Sequence, residues 1–467
     1  MKGSPVRALA VRASVGVVIA ATMLLSACSS SGSSSSGAGL GTGTSAAGAE
    51  PSTVTVPGTS STVGVAPDVL AAVKDQPLVG PAGSGLTRGV TSTSVKVGCV
   101  LTNAFWPGAA GGFAARFNRA NAEGGINGRK IDFSGCVDDG QNADTNLAAS
   151  KRLVEQDHDF AVMQFSTFAT PQVTDYLSSQ QVPFYGWGIT PGFCGTRWGF
   201  GFDGCVVSSG ITSLKTGWAQ SSNLYPVLAS GLSFKNTKIA LLGADNDSSR
   251  SSFSDMEKII KGNGGKVVYN QSVVPMAGTT DFTPYIRPVL AARPNAVVLN
   301  IALNYVGQVI AGLRAGGYKG MITTPTGYQP GLLQAQHALA AAMEGSYSVS
   351  YTTPIEQSSP FNTQMLKDLA STNTRPGQGP MFAYAQADLL VQMLTAAGKD
   401  LNTRTFDQAV NAGSFVYRAN PSGGPADLPY PAGHFTGSDC TAAMQVVKGK
   451  YVVKGKYACF PSVKTRG

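Results

Sequence analysis

SVKVGCVL, residues Ser94–Leu101, is followed after a turn by GGFAARFNRANAE, residues Gly111–Glu123. The first stretch is a β-branched apolar run bounded by turn residues, which predicts a buried strand. The second places Phe113, Ala114, Phe117 and Ala120 at helical spacing. Gly124-Gly125 ends that helix, where a residue with positive φ is needed. Asn127-Gly128 is a turn dipeptide that aims the next strand, Ile131–Val137. Asn142–Gln156 is helical again, with Leu147, Leu153 and Val154 on its apolar side, and strand Phe160–Phe165, helix Pro171–Gln180 and strand Val182–Trp187 continue the alternation. Repeated βα units predict a parallel sheet wrapped by helices.

The same grammar restarts beyond a cysteine-bearing loop. Strands Lys238–Gly243, Lys266–Val274, Ala296–Ile301, Met321–Thr324 and Ser346–Tyr351 alternate with helices Phe253–Lys261, Phe282–Ala292, Val306–Ala315 and Leu332–Ala342. Two helices follow, Asn362–Ala370 and Ala383–Ala397. From Phe415 onward Pro and Gly dominate until Ala442–Val447 and Tyr451–Val453, which read as a hairpin around Lys448-Gly449-Lys450. The fold class is therefore α/β, with two doubly wound parallel-sheet lobes side by side. In open parallel sheets ligands sit beyond the carboxyl ends of the strands, so the expected site is the cleft between the lobes. Two or three short strands should cross between them, the first near Val207–Thr212.

The chain before this region has a different character. Lys2, Arg7 and Arg12 precede an apolar run, Ser14–Ala27, too short to span a bilayer comfortably. This order reads as a secretory signal. Leu25-Ser26-Ala27-Cys28 resembles the bacterial lipobox, whose cysteine is lipidated and becomes the new N-terminus; residues 1–28 are read as a lipoprotein signal peptide and Cys28 as its lipidation site. An ordinary cleaved signal with a chance cysteine is the alternative. Residues 29–90, rich in Ser, Gly, Thr, Ala and Pro, read as a disordered linker that cannot bury enough surface to offset its chain entropy. Within it Ala66–Asp75 could form a short helix but has no partner face in the linker. The expected location is extracytoplasmic, with a lipid anchor to the cell membrane.

Composition narrows the classes further. Six cysteines remain beside Cys28, namely Cys99, Cys136, Cys194, Cys205, Cys440 and Cys459, an even number that in an exported chain points to three disulfides of open connectivity. No CxxC spacing occurs and there are only three histidines, so neither a metal nor a cofactor is expected. The net charge of +9, or +6 without the three signal charges, comes from scattered Lys and Arg with no basic run, which argues against nucleic acid as a partner.

At Asn121-Ala122-Glu123-Gly124-Gly125-Ile126-Asn127-Gly128-Arg129-Lys130-Ile131 the sequence resembles the periplasmic binding proteins of type I fold that serve branched-chain amino acid ABC transporters. The same turn there joins the first helix to the second strand, followed, as in Val137-Asp138-Asp139-Gly140, by an acidic turn and a helix. The resemblance recurs at Phe160–Tyr176, Gly278–Phe282, Leu313–Tyr318 and Glu344–Tyr347, and covers essentially all of Thr91–Phe460. It implies a binding-protein domain over 91–465, with one lobe at about 91–209 and 355–414 and the other at about 210–354 and 415–465. It also implies an ABC permease partner and a small organic solute, an amino acid or a relative, captured by lobe closure.

In amino-acid binders of this family the ligand carboxylate is held by a Ser/Thr hydroxyl and amides after the third and fourth strands. The matching positions are Ser166 and Thr167, and Gly188 and Thr190; helix capping is the simpler role for such side chains. The second lobe there supplies a carboxylate for the ligand's ammonium. The matching position here is the uncharged Thr279, and the Asp245–Arg250 loop, DNDSSR, which contains Ser249, lacks the tyrosine-glycine pair often seen there. Aromatic residues crowd the expected cleft: Phe105, Trp106, Phe165, Phe168, Trp187, Tyr305 and Tyr328 follow or flank strand ends. They suit a bulkier, partly aromatic ligand, unless they pack beneath the loops. The layout of strands pairs Cys99 with Cys136, Cys194 with Cys205 and Cys440 with Cys459.

A secreted enzyme is the rival class, and a solute-sensing lipoprotein for a membrane receptor shares the fold. The folded region contains no G-x-S-x-G elbow, no H-E-x-x-H, no phosphate loop and no G-x-G-x-x-G after a strand. His158 reads as a solvated helix-end residue, His337 has no acidic partner at i±4, and His434 lies in a Pro/Gly turn and reads as structural. The sequence therefore reads as a binder that is not an enzyme.

Overall fold

The computed structural model describes residues 65, 67–74, 76–207, 215, 217–460 and 462–466. Cys28, the signal, the linker up to residue 64 and nearly all of the first expected crossover strand near Val207–Thr212 lie outside them.

The first sheet takes its strands from β1 (Ser94–Leu101), β2 (Lys130–Phe133), β3 (Val137–Asp138), β4 (Ala161–Phe165), β5 (Phe184–Tyr185) and β6 (Gly199–Phe200). Its order is β2-β1-β4-β5-β6, every pairing is parallel, and β3 continues beside the end of β1. Helices α1 (Pro67–Val73), α2 (Ala109–Ala122), α3 (Ala143–Glu155) and α4 (Pro171–Ser179) belong to this part of the chain. Every residue of β4 is buried, as a strand with helices on both faces requires.

After β7 (Gly217–Ala219) and α5 (Tyr225–Ala229), the second sheet is built from β8 (Lys238–Ala244), β9 (Lys266–Val274), β10 (Ala296–Asn300), β11 (Met321–Thr324) and β12 (Tyr347–Ser350). Between these strands lie α6 (Asp247–Gly262), α7 (Thr283–Ala291), α8 (Leu303–Ala315), α9 (Pro330–Ala335) and α10 (His337–Ala342). The expected helix Leu332–Ala342 is thus two short helices, broken at Gln336, whose backbone leaves the helical region. The chain returns through α11 (Pro360–Ser371), α12 (Gln378–Ala397) and α13 (Thr403–Asn411), the short pair β13 (Val416–Tyr417) and β14 (Leu428–Pro429), then β15 (Cys440–Val447), β16 (Lys450–Cys459) and β17 (Val463–Arg466). The hairpin β15–β16 adds to β12 in antiparallel sense, giving the order β16-β15-β12-β11-β10-β8-β9. The second lobe therefore carries an antiparallel edge on a parallel sheet.

The returning helices cover the first sheet. α12 approaches α2 so closely that a Cβ at Gly112 would stand 2.2 Å from the Pro380 carbonyl oxygen, and Arg116 of α2 pairs with Asp388 of α12 at 2.6 Å. Phe406 of α13 packs edge-on against Phe160 and Phe200. Residues 415–437, expected with the second lobe, pack on the first. The Tyr430 hydroxyl donates to the Gly201 carbonyl at 2.7 Å, and the Gly433 carbonyl accepts from Cys205 N–H at 2.9 Å.

The segment expected to be linker is packed from Val65 on. Val65, Val69 and Val73 recur every four residues and are all buried in the main core, a helical stripe that an average over the segment's composition hides. Val79 bridges to Thr196, and Trp198 Nε1–H donates to the Pro81 carbonyl at 3.0 Å. The three expected disulfides, Cys99–Cys136, Cys194–Cys205 and Cys440–Cys459, are all formed. No helix among the described residues is long and apolar enough to cross a membrane.

Candidate ligand-binding site

The carboxyl ends of both parallel sheets converge on one small cavity of about 30 Å3. From the first sheet come Phe105 and Trp106 after β1, Thr167 after β4, and Trp187 and Ile189 after β5. From the second come Asn246 after β8, Asn300 at the end of β10, Pro325 and Thr326 after β11, and Tyr351 after β12. The connecting segments add Val206, Val207 and Asn223, and the first turns of α6 add Ser248, Ser249 and Ser252.

Its apolar wall is a cluster of rings. Trp106 meets Trp187 edge to face with centroids 5.3 Å apart, and Trp187 also packs on Phe382 at 5.1 Å. Both tryptophans are buried. The opposite wall is polar and uncharged. Asn246 caps α6, its Oδ1 accepting from Ser249 N–H at 2.8 Å, so the amino end of a 16-residue helix and its serines face the cavity. Ser249 Oγ donates to the Asn300 carbonyl at 3.3 Å. Thr167 Oγ1 and Trp187 Nε1 are buried with no hydrogen-bond partner of normal geometry among the described residues, although the Trp187 N–H lies close enough to Asp203 to favour that carboxylate's charged form.

Among the described residues, none that lines the cavity is charged. A carboxylate, Asp255, lines a smaller cavity that shares Val206, Val207, Asn223 and Ser252 with this one, and it pairs with Lys258 at 3.5 Å. Among the described residues no group of three or more His, Cys, Asp or Glu is placed to hold a metal ion.

Behind the cavity, where the chain passes between the sheets, two buried carboxylates tie the crossing segments together. Asp203 accepts from Ser438 Oγ and from Gln220 Nε2, and Asp439 accepts from the backbone N–H groups of Ser221 and Ser222. Burial pushes Asp203 up to about 7 and Asp439 up to about 6.

Of the candidate residues, the structure brings Phe105, Trp106, Thr167, Trp187 and Ser249 to the cavity; the other seven lie off it. Ser166 turns inward, its hydroxyl donating to the buried Asp139 carboxylate and accepting from Phe168 N–H, and the Phe168 ring does not line the cavity. Gly188 is pressed against the Gly204–Cys205 backbone, where a Cβ would stand 2.3 Å from the Gly204 carbonyl oxygen. Thr190 is buried at the start of a 3-10 turn. Thr279 closes its own turn by accepting from Asp281 N–H at 3.2 Å. The Tyr305 hydroxyl donates to the Ala277 carbonyl at 2.6 Å, and that of Tyr328 to Glu356 at 2.6 Å, with its ring against Tyr451. Asn246, Asn300, Thr326 and Tyr351 were legible only by following the strand-end rule through every strand of the second sheet.

A family model described as periplasmic binding protein matches residues 101–450. No curated protein sequence matches the chain. Among solved structures, an ABC transporter substrate-binding protein from Aeropyrum pernix is similar with a TM-score of 0.66 at 15% identity, covering 79% of this chain and 96% of that one. A solute-binding protein of an R. palustris ABC transporter, in complex with 4-hydroxybenzoate, gives 0.61 at 18% identity, covering 80% and 98%. A branched-chain amino acid transporter substrate-binding protein from Streptococcus pneumoniae, in complex with isoleucine, gives 0.61 at 18%, covering 80% and 100%. The matched span takes in most of both sheets, whose carboxyl ends face each other across a cavity: the chain belongs to the periplasmic binding protein family and has its type I fold.

Proposed function

We propose that this protein is the extracytoplasmic, Cys28-anchored substrate-binding component of an ABC importer, and that its cleft takes a small organic acid with an aromatic or apolar body. The observation that carries this reading is the lining: rings packed edge to face on one side, neutral donors and a helix amino end on the other, and no charge among the described lining residues. A carboxylate is favoured by the helix end. An ammonium left unpaired in such a cavity costs several kcal/mol, about as much as any buried ion without a partner. The R. palustris neighbour in complex with 4-hydroxybenzoate and another from R. palustris in complex with benzoate support the class of ligand.

The present cavity is smaller than any such ring, so the lobes must part to admit the ligand and close over it at a wider separation than the present one. Closure is then an equilibrium that ligand contacts to both sheets shift. A second reading, an amino acid whose ammonium reaches Asp255, is favoured by that carboxylate's place behind Ser252. Calorimetric titration with benzoate, 4-hydroxybenzoate, benzamide, leucine and isoleucine separates the two. Heat from the benzoates and none from the amino acids supports the first. Heat from the amino acids alone, lost in Asp255→Asn, replaces it with the second. Anchoring is tested by incorporation of labelled palmitate, which Cys28→Ser should abolish.

A further inference from the structure

The loop after β1 serves two cavities. Phe105 and Trp106 line the cleft, and the next residues, Pro107, Gly108 and Gly111, line a larger one of about 400 Å3. Its other walls come from both lobes: Gln329 and Leu332 at the start of α9, and Asn373, Thr374, Arg375, Pro376 and Pro380 around the start of α12. These elements are joined across the lobes. Pro376 O accepts from Gly331 N–H at 2.8 Å, Tyr328 O from Gln378 N–H at 3.0 Å, and Pro325 O from Gln378 Nε2 at 2.8 Å. Pro325 itself lines the cleft. The larger cavity thus has its full set of walls only while the lobes are together.

Its chemistry differs from that of the cleft. Arg375 is the only charged residue lining either cavity, it is exposed, and it makes no hydrogen bond or ion pair among the described residues. Three prolines and Leu332 supply apolar walls, and Gln329, itself buried, has a side-chain Nε2 without a partner. Two of its walls touch directly, since a Cβ at Gly111 would stand 2.0 Å from Thr374 Oγ1. A forked guanidinium beside apolar walls complements a carboxylate on an organic body.

We propose that this cavity is a second small-molecule site, which takes an organic carboxylate and, because both lobes build it, favours closure when filled. By linkage its occupant and the cleft ligand then tighten each other's binding. This second clause rests on the lobe-closure reading above; the existence of the site does not.

The test uses the full chain labelled with 15N-arginine, in which the Arg375 Nε resonance is identified by its loss in Arg375→Gln. Benzoate, hexanoate and citrate are titrated to tens of millimolar, with benzamide and sodium chloride as controls. A saturable shift of that resonance by at least one carboxylate, absent with both controls, is expected. Its midpoint should weaken by about tenfold or more in Leu332→Trp, which fills the cavity, and hold in Thr167→Ala, which removes a cleft hydroxyl that has no hydrogen-bond partner among the described residues. No saturable shift from any carboxylate, or the same shift from chloride, overturns the site. So does a shift weakened in Thr167→Ala but kept in Leu332→Trp, which places the carboxylate in the cleft. Failure of every cleft ligand in calorimetry leaves the Arg375 result standing by itself, so the two readings fail separately.

Discussion

The ring of Trp187, beyond the end of β5 in the first sheet, meets that of Tyr351, beyond the end of β12 in the second, with centroids 4.9 Å apart and planes inclined at 68°. Tyr351 in turn donates its hydroxyl to Asn223 Oδ1. The aromatic wall of the cleft is therefore also a contact between lobes. Trp187→Phe, which keeps an apolar ring but shortens it and removes the indole N–H, should weaken the cleft ligand by about tenfold. Tyr305→Phe, at a ring held by Phe282 and the Ala277 carbonyl, should leave affinity within about twofold. Calorimetric titration of both variants checks the placement, and equal losses would contradict it.

The buried Asp203 carries a pH signature. Its folded value, about 7, exceeds the unfolded value of about 3.9, so the native state binds the extra proton. The group's contribution is thus most favourable below pH of about 4 and is lost as pH rises to about 7. Asp203→Asn should flatten this part of the stability profile. Urea unfolding at intervals from pH 4 to 8 measures it; a wild-type curve that rises relative to the variant across this window contradicts the assigned direction.

Helix packing on the first lobe depends on Gly112. Because a Cβ there would stand 2.2 Å from Pro380 O, Gly112→Ala forces α2 and α12 apart and should cost roughly 1–3 kcal/mol. Denaturant melts would show it as a lower midpoint with an unchanged slope.

The Cys440–Cys459 bond joins directly paired residues of β15 and β16. Replacing both with alanine should lower stability by roughly 2–4 kcal/mol while ligand affinity persists, since neither residue lines the cleft. Non-reducing peptide mapping should recover all three pairs.

The alternation of strands and helices was legible because strands such as β4 and β10 are short, mostly apolar runs and helices such as α3 bury positions at helical spacing. α13 escaped notice: its signal is an Asn402 capping box and a few well-spaced apolar residues, not a long periodic run. The site was legible at the level of strand ends and less so at the level of side chains. Trp106 and Trp187 do line the cavity, whereas Phe168, Tyr305 and Tyr328, rings also placed beside strand ends, do not, so ring size alone does not decide the placement. Ser166 misled because its hydroxyl satisfies Asp139, a partner distant enough in sequence to leave no local trace. Tyr328 misled likewise, since Glu356 and Tyr451 hold it inside the second lobe.

The three disulfides share a property of placement. Cys99–Cys136 and Cys194–Cys205 lie on the first lobe, and Cys440–Cys459 on the second; none joins one lobe to the other. Covalent bonds thus stiffen each jaw and leave the angle between the jaws to weak forces. An oxidising exterior makes each half a harder grip without setting how wide it opens, which leaves as the softest coordinate of the molecule the one on which the proposed ligand would act.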